Sequence, residues 1–243
     1  MSRLLILLIM TSFATDNFKT EQLKNARVKN AYTEKQAYLE NLLKSKELEF
    51  SSLEIYLRAF KNEGILEVWT KNKTEKTYQL LTSYSICQSS GTLGPKRKEG
   101  DLQVPEGFYQ INHFNPLSNF HLSLGISYPN QSDKVFADKN RPGGAIYIHG
   151  SCVTIGCIPI TDDKIKELYI LALEARNNGQ KTIQITIFPA KMTDKNFAML
   201  KSATIDKNIL NLWEDLKIDY QRFETSKTAP IVQFLPNGRH LIK

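Results

Sequence analysis

The 243-residue chain has little cysteine, with three residues, and little glycine or proline, with 12 and 9. That scarcity excludes a collagen-like or fibrous chain, and 41% hydrophobic with 23% charged residues excludes a disordered one. No Cys-x-x-Cys pair occurs among Cys87, Cys152 and Cys157, so a thioredoxin-like redox motif is missing. A metal site built from His149, Cys152 and Cys157 would match no common zinc spacing and has no evident fourth ligand. No metal and no cofactor is therefore expected. There is no internal repeat and no low-complexity tract. The length is ample for a hydrophobic core.

What is present begins with charge. Thirty-two Lys and Arg stand against 25 Asp and Glu, a net charge of +7, which suits an anionic partner such as nucleic acid, a membrane surface or an acidic wall polymer. No recognised nucleic-acid motif accompanies the charge, and a nucleic-acid partner is not expected. The first residues place Arg3 before an apolar run from Leu4 to Met10, then small residues at Ser12 and Ala14. This is the order of a signal peptide over residues 1–14, cleaved after Ala14, because the run is too short to cross a bilayer. No cysteine lies near that point to carry a lipid, and no later segment is apolar enough to span. The expectation is an exported protein, periplasmic or in the cell envelope, with no stable membrane anchor.

From residue 15 to 61 the chain is rich in Glu, Lys, Leu and Ala, without Gly or Pro, and Leu39, Leu42, Leu43, Leu53 and Tyr56 fall at roughly helical spacing. This predicts a helical lead-in. Beyond Gly64, residues 65–71 and 76–87 read as a hairpin, and strand-like pieces recur at 106–112, 120–126, 145–150 and 182–188. Thr161 is expected to cap a helix opened by Asp162 and Asp163 and closed before Gly179, with further helix from about Thr193 to Phe223. An Asn237-Gly238 turn between apolar runs predicts a terminal hairpin. The fold class is α+β, β-rich at its centre with mixed sheets. The expected division is a lead-in over 15–61, a catalytic domain over 62–190, and C-terminal helices with a hairpin over 191–243. Two loops dense in Gly, Pro and charge, 90–109 and 127–144, are explained least by helix and strand patterns and mark candidate functional segments.

An odd number of cysteines in an exported protein leaves one thiol over. In IYIHGSCVTIGCIPIT (146–161), His149 precedes Cys157 by eight residues and a glycine stands immediately before the thiol. A free thiol is mostly protonated at neutral pH and needs a base to become a nucleophile, which a converging imidazole would supply. Gly156 removes a Cβ beside the nucleophile, so a carbonyl could approach and backbone N–H groups could meet the developing oxyanion. The reading requires both side chains on one side of the sheet. With Cys157 free, Cys87 and Cys152 are available to pair, closing a loop of 65 residues that would contribute about 4 kcal/mol on the chain-entropy account. That pairing fails if their Cα atoms stand beyond about 7 Å.

The segments 94–116, 120–130 and 143–169 together resemble the L,D-transpeptidase catalytic domain, also called YkuD-like, and more closely its YafK branch. The resemblance runs from about Leu53 to Ala190. It implies a β-rich domain whose cysteine attacks an amide in peptidoglycan stem peptides with a histidine as base. Matched by position, His149 is that base and Cys157 the nucleophile, with the histidine oriented by a backbone carbonyl near Gly150 or Thr154, and Gly156 supporting the oxyanion. Lys96 and Arg97, with Lys98, would meet stem-peptide carboxylates. The chain departs from the broader pattern in lacking a second histidine before the cysteine and an Arg or Asn two residues after it, where Pro159 stands. The implied activity is wall cross-linking or remodelling through a thioester. The alternatives are an amidase that detaches an envelope protein from peptidoglycan, and a non-catalytic wall-binding module.

Overall fold

The computed structural model describes residues 18–243, and the expected leader over 1–14 lies outside the described residues. Two helices come first, α1 (Phe18–Leu23) and α2 (Ala26–Lys44), the latter capped by Asn25, whose side chain accepts from the Arg27 N–H. The expected helical lead-in ends there. Residues 53–60, LEIYLRAF, form strand β1 (Leu53–Phe60), followed by β2 (Ile65–Asn72) and β3 (Gln79–Ser85). Helical spacing misled at Leu53 and Tyr56 because β1 is buried on both faces, so it shows no polar alternation.

The remaining elements are β4 (Gly107–Asn115), β5 (Ser123–Ile126), α3 (Gln131–Phe136), β6 (Tyr147–His149), β7 (Ile158–Pro159), α4 (Thr161–Asn177) and β8 (Ile183–Phe188). Helices α5 (Asp194–Ala203) and α6 (Lys207–Ser226) and a hairpin of β9 (Val232–Phe234) and β10 (His240–Ile242) close the chain. Strands β1 to β8 make one sheet in the order β3-β2-β1-β8-β4-β5-β6-β7. It is mixed: β1 runs parallel to β8 and β6 parallel to β7, and the other neighbours are antiparallel. The sheet curls until its two edges meet, with the Cys87 N–H just past β3 donating to the Pro159 carbonyl of β7 at 3.0 Å.

Strand alternation sorts the two faces. Ile55, Leu57 and Ala59 of β1, Ile183, Ile185 and Ile187 of β8, Ile148 of β6 and Ile158 of β7 share one core with α4. Helix α4 is buried nearly all round, from Leu168 to Leu173, since α2 covers the side that the sheet does not. On the opposite face, Phe60 and Phe188 pack with Trp213 and Leu216 of α6. Buried Glu106 ties that layer together, accepting from Trp213 Nε1 (2.7 Å), Lys61 Nζ (2.9 Å) and the Gly94 N–H (2.7 Å). Thr161 does not cap α4. The residue preceding the helix is Ile160, with no side-chain cap bond, and Thr161 itself has φ +73°. The Asp162 carboxylate is turned to the Ser151 N–H instead, at 2.6 Å.

Candidate active site

Strand β6 is three residues long and alternates, with Ile148 buried in the α4 core between Tyr147 and His149 on the other face. Parallel pairing sets Ile148 beside Ile158 and His149 beside Pro159. Cys157 therefore stands next to Tyr147, on the same face as His149 and diagonal to it across two adjacent strands. Cys157 is the free cysteine and is partly exposed. Cys87 and Cys152 form a disulfide with Cα atoms 5.7 Å apart, so Cys152 is no metal ligand and no bridge occupies Cys157. Among the described residues no group of three or more His, Cys, Asp or Glu could hold a metal ion.

His149 is 2% exposed, and its Nδ1–H donates to the Gly150 carbonyl at 2.5 Å. That bond selects the tautomer whose Nε2 carries the free lone pair. Burial lowers the imidazole pKa below its ordinary value, and the Gly150 carbonyl opposes the shift. Sequence reasoning missed Phe120, whose ring stacks on His149 with centroids 4.6 Å apart and planes 27° apart. The Phe120 carbonyl also accepts from the Gly150 N–H at 3.0 Å, so one residue holds both the ring and the peptide that orients it. No motif marks such a residue, because the contact depends on the loop after β4 folding over β6.

Burial pushes the Cys157 thiol up; the Tyr147 N–H and the Lys96 charge pull it partly back. The S–H is 3.8 Å from the Ala145 carbonyl. Thr154 does not orient the histidine. Its hydroxyl donates to the Cys157 carbonyl at 2.8 Å and accepts from the Gly156 N–H at 3.0 Å, bracing the turn that delivers the thiol. Gly156 is required there, with φ +136° and the Gln103 carbonyl 3.0 Å from where a Cβ would lie. Leu102, His121, Ala145, Ser151 and Thr161 all have positive φ and lie on the segments around the pair, a concentration of strain of the kind that functional sites hold.

Lys96 and Arg97 have internal partners. Lys96 is 4% exposed, with Nζ 2.6 Å from Asp101 and 2.8 Å from the Lys98 carbonyl, while Arg97 meets Asp133 at 3.2 Å. The loop folds back because the Asp101 carboxylate accepts from the backbone N–H groups of Arg97, Lys98 and Gln103. Lys96 acts on the thiol through its field, not as an open cation. His240 is bound to Asp215 at 3.0 Å in the terminal hairpin.

Residues 54–185 match the YkuD family, the L,D-transpeptidase catalytic domain, and the chain belongs to that family. The protein of Escherichia coli (strain K12) named "Putative L,D-transpeptidase YafK" is 37% identical over 190 residues, covering 77% of this chain and 73% of the relative. The crystal structure of the helical cell shape determining protein Pgp2 from Campylobacter jejuni aligns with a TM-score of 0.45 at 18% identity, over 76% of this chain and 73% of that one. No helix among the described residues is long and apolar enough to cross a membrane.

Proposed function

We propose that the protein is an exported, cysteine-dependent peptidoglycan L,D-transpeptidase that works through a thioester on the diamino acid of stem peptides. The observation that carries this reading is the free Cys157 on the same sheet face as a His149 whose Nδ1 is committed to the Gly150 carbonyl. Both groups rest neutral, so the step begins with transfer of the thiol proton to Nε2. The sulfur attacks the amide carbon, an S–C bond forms, and the negative charge moves to the carbonyl oxygen. Collapse breaks the C–N bond, and the imidazolium returns its proton to the leaving amine. An acceptor amine then gives a proton to His149 Nε2 and attacks the thioester carbon; the new C–N bond forms, the C–S bond breaks, and the imidazolium returns the proton to the Cys157 sulfur, leaving a new cross-link and the free thiol. A net positive chain suits an acidic wall polymer as partner.

The test is incubation of sacculi with the protein and with Cys157→Ala, followed by muropeptide analysis. New 3→3 linked dimers with the unaltered protein alone are the expected result. Loss of a peptide-linked protein without dimers would assign hydrolysis of the same acyl-enzyme. No change in either would overturn the reading, as would failure of Cys157 to form a mass adduct with a carbapenem.

A further inference from the structure

The helical lead-in lies outside residues 54–185, the part of the chain that matches the family, and yet it is bonded to the loop that holds the histidine. Arg27, in the first turn of α2, extends Nη1 to two carbonyls of the loop between β4 and β5, donating to Ser118 at 2.6 Å and to His121 at 2.7 Å. Those two residues flank Phe120, whose ring stacks on His149 and whose carbonyl accepts from the Gly150 N–H. Contacts in series thus join α2 to the imidazole: Arg27 grips the loop, the loop's Phe120 meets the ring and the Gly150 peptide, and the Gly150 carbonyl takes the Nδ1 proton.

Burial does not fix this loop. Leu117 and Phe120 are 74% and 38% exposed, so its large apolar side chains contribute little packing. The Ser118 hydroxyl accepts from the Phe120 N–H at 3.1 Å, which sets the turn locally. His121 has φ +70°, a conformation that a residue other than glycine keeps only where its surroundings impose it. Arg27 is suited to impose it, because a guanidinium stays charged at every working pH and donates through a rigid fork. The other end of the strut is firm. Val28 and Ala31 are fully buried in the core that α4 shares, the Tyr32 hydroxyl donates to Glu174 of α4 at 2.7 Å, and Lys35 donates to Glu167 at 3.2 Å. The shift of the His149 pKa comes from burial and from the Gly150 carbonyl, so Arg27 acts on the ring by placement and not by its field.

We propose that Arg27 is a positioning residue for the reaction at Cys157, holding the loop between β4 and β5 where Phe120 fixes the His149 ring, an inference that rests on the function proposed above. The lead-in is then part of the catalytic unit. The experiment compares the protein with Arg27→Ala, Phe120→Ala and Arg27→Ala/Phe120→Ala by the rate of the carbapenem adduct at Cys157. The same three changes, made in Cys157→Ala, are compared by NMR titration of His149. Arg27→Ala should slow the adduct about fivefold, and the double variant should be no slower than Phe120→Ala alone, because both changes release the same ring. The His149 midpoint should rise toward the ordinary imidazole value in Arg27→Ala and in Phe120→Ala alike, as water reaches the ring. An adduct rate in Arg27→Ala equal to that of the unaltered protein, losses that multiply in the double variant, or an unmoved His149 midpoint in Arg27→Ala would each overturn the proposal. Should the unaltered protein form no adduct, the catalytic reading falls by itself, and the titration, which needs no turnover, decides whether Arg27 places the ring. Arg27→Gln carries the same comparisons should Arg27→Ala fail to fold.

Discussion

A histidine held below its ordinary pKa beside a cysteine held above its own forms a neutral pair, and both shifts come first from burial. The signs set the pH behaviour. His149 gives up its proton at lower pH than an ordinary imidazole, so the acid limb of kcat/KM should have its midpoint below the ordinary imidazole value. The free thiol stays protonated into alkaline pH, so iodoacetamide alkylation of Cys157 should rise with pH to a midpoint above that of an unperturbed cysteine, and Lys96→Met should move it higher by removing a favourable charge. A flat alkylation rate from pH 5 upward would show a resting thiolate and contradict this. Phe120→Ala should free the imidazole ring, lower kcat about tenfold with KM little changed, and let the acid limb drift back toward the ordinary value as water reaches His149. His149 and Cys157 could be picked out from the chain by residue type and motif. Phe120, Ala145 and Tyr147 could not, since one acts through its ring, one through its carbonyl and one through its N–H.

The segment 150–157 between β6 and β7 is the element that presents the thiol, and three constraints hold it. Its start is fixed by Gly150, where a Cβ would meet the Asp162 carboxylate and lie 2.7 Å from the Phe120 carbonyl. Gly150→Ala should therefore displace the turn that orients His149, costing roughly 2 kcal/mol in a denaturant melt and most of the carbapenem adduct rate. Its middle is tied through Cys152 to Cys87, beyond β3, and Cys87→Ser/Cys152→Ser should lower stability by about 4 kcal/mol if the chain-entropy account holds. Its end is braced by Thr154. Between these anchors Val153 and Ile155 are 50% and 78% exposed, so the segment owes its shape to its anchors and not to a buried apolar side. The hairpin over β2 and β3 was legible from its alternation and polar turn, and the terminal hairpin from Asn237-Gly238. Strand β1 was not, because burial on both faces erased the alternation that identifies a half-exposed strand.

Across the whole molecule, charge is distributed by depth. Arg58 is buried among Phe60, Trp69, Phe188, Tyr220 and Phe223 and reaches Glu224 at 2.8 Å. Burial raises the pKa of nearby Asp219 from 3.8 to about 7, against the opposing pull of Arg58, Arg222 and the Thr186 hydroxyl. The folded state thus keeps a proton that the unfolded chain releases, and this group's contribution to stability falls as pH rises from about 4 to about 7, then levels off. Asp219→Asn should flatten that part of the melting-temperature profile; an unchanged profile would place the slope elsewhere.

By itself the sequence determined which residues could carry the chemistry, the α+β class and most of the hairpins, because residue type, turn chemistry and strand period are local properties. Only the tertiary structure decided that His149 and Cys157 share a face, and that Lys96 and Arg97 are consumed by Asp101 and Asp133. Those outcomes depend on register and on which distant carboxylate a folded loop brings near. Neither follows from the order of residues along one segment.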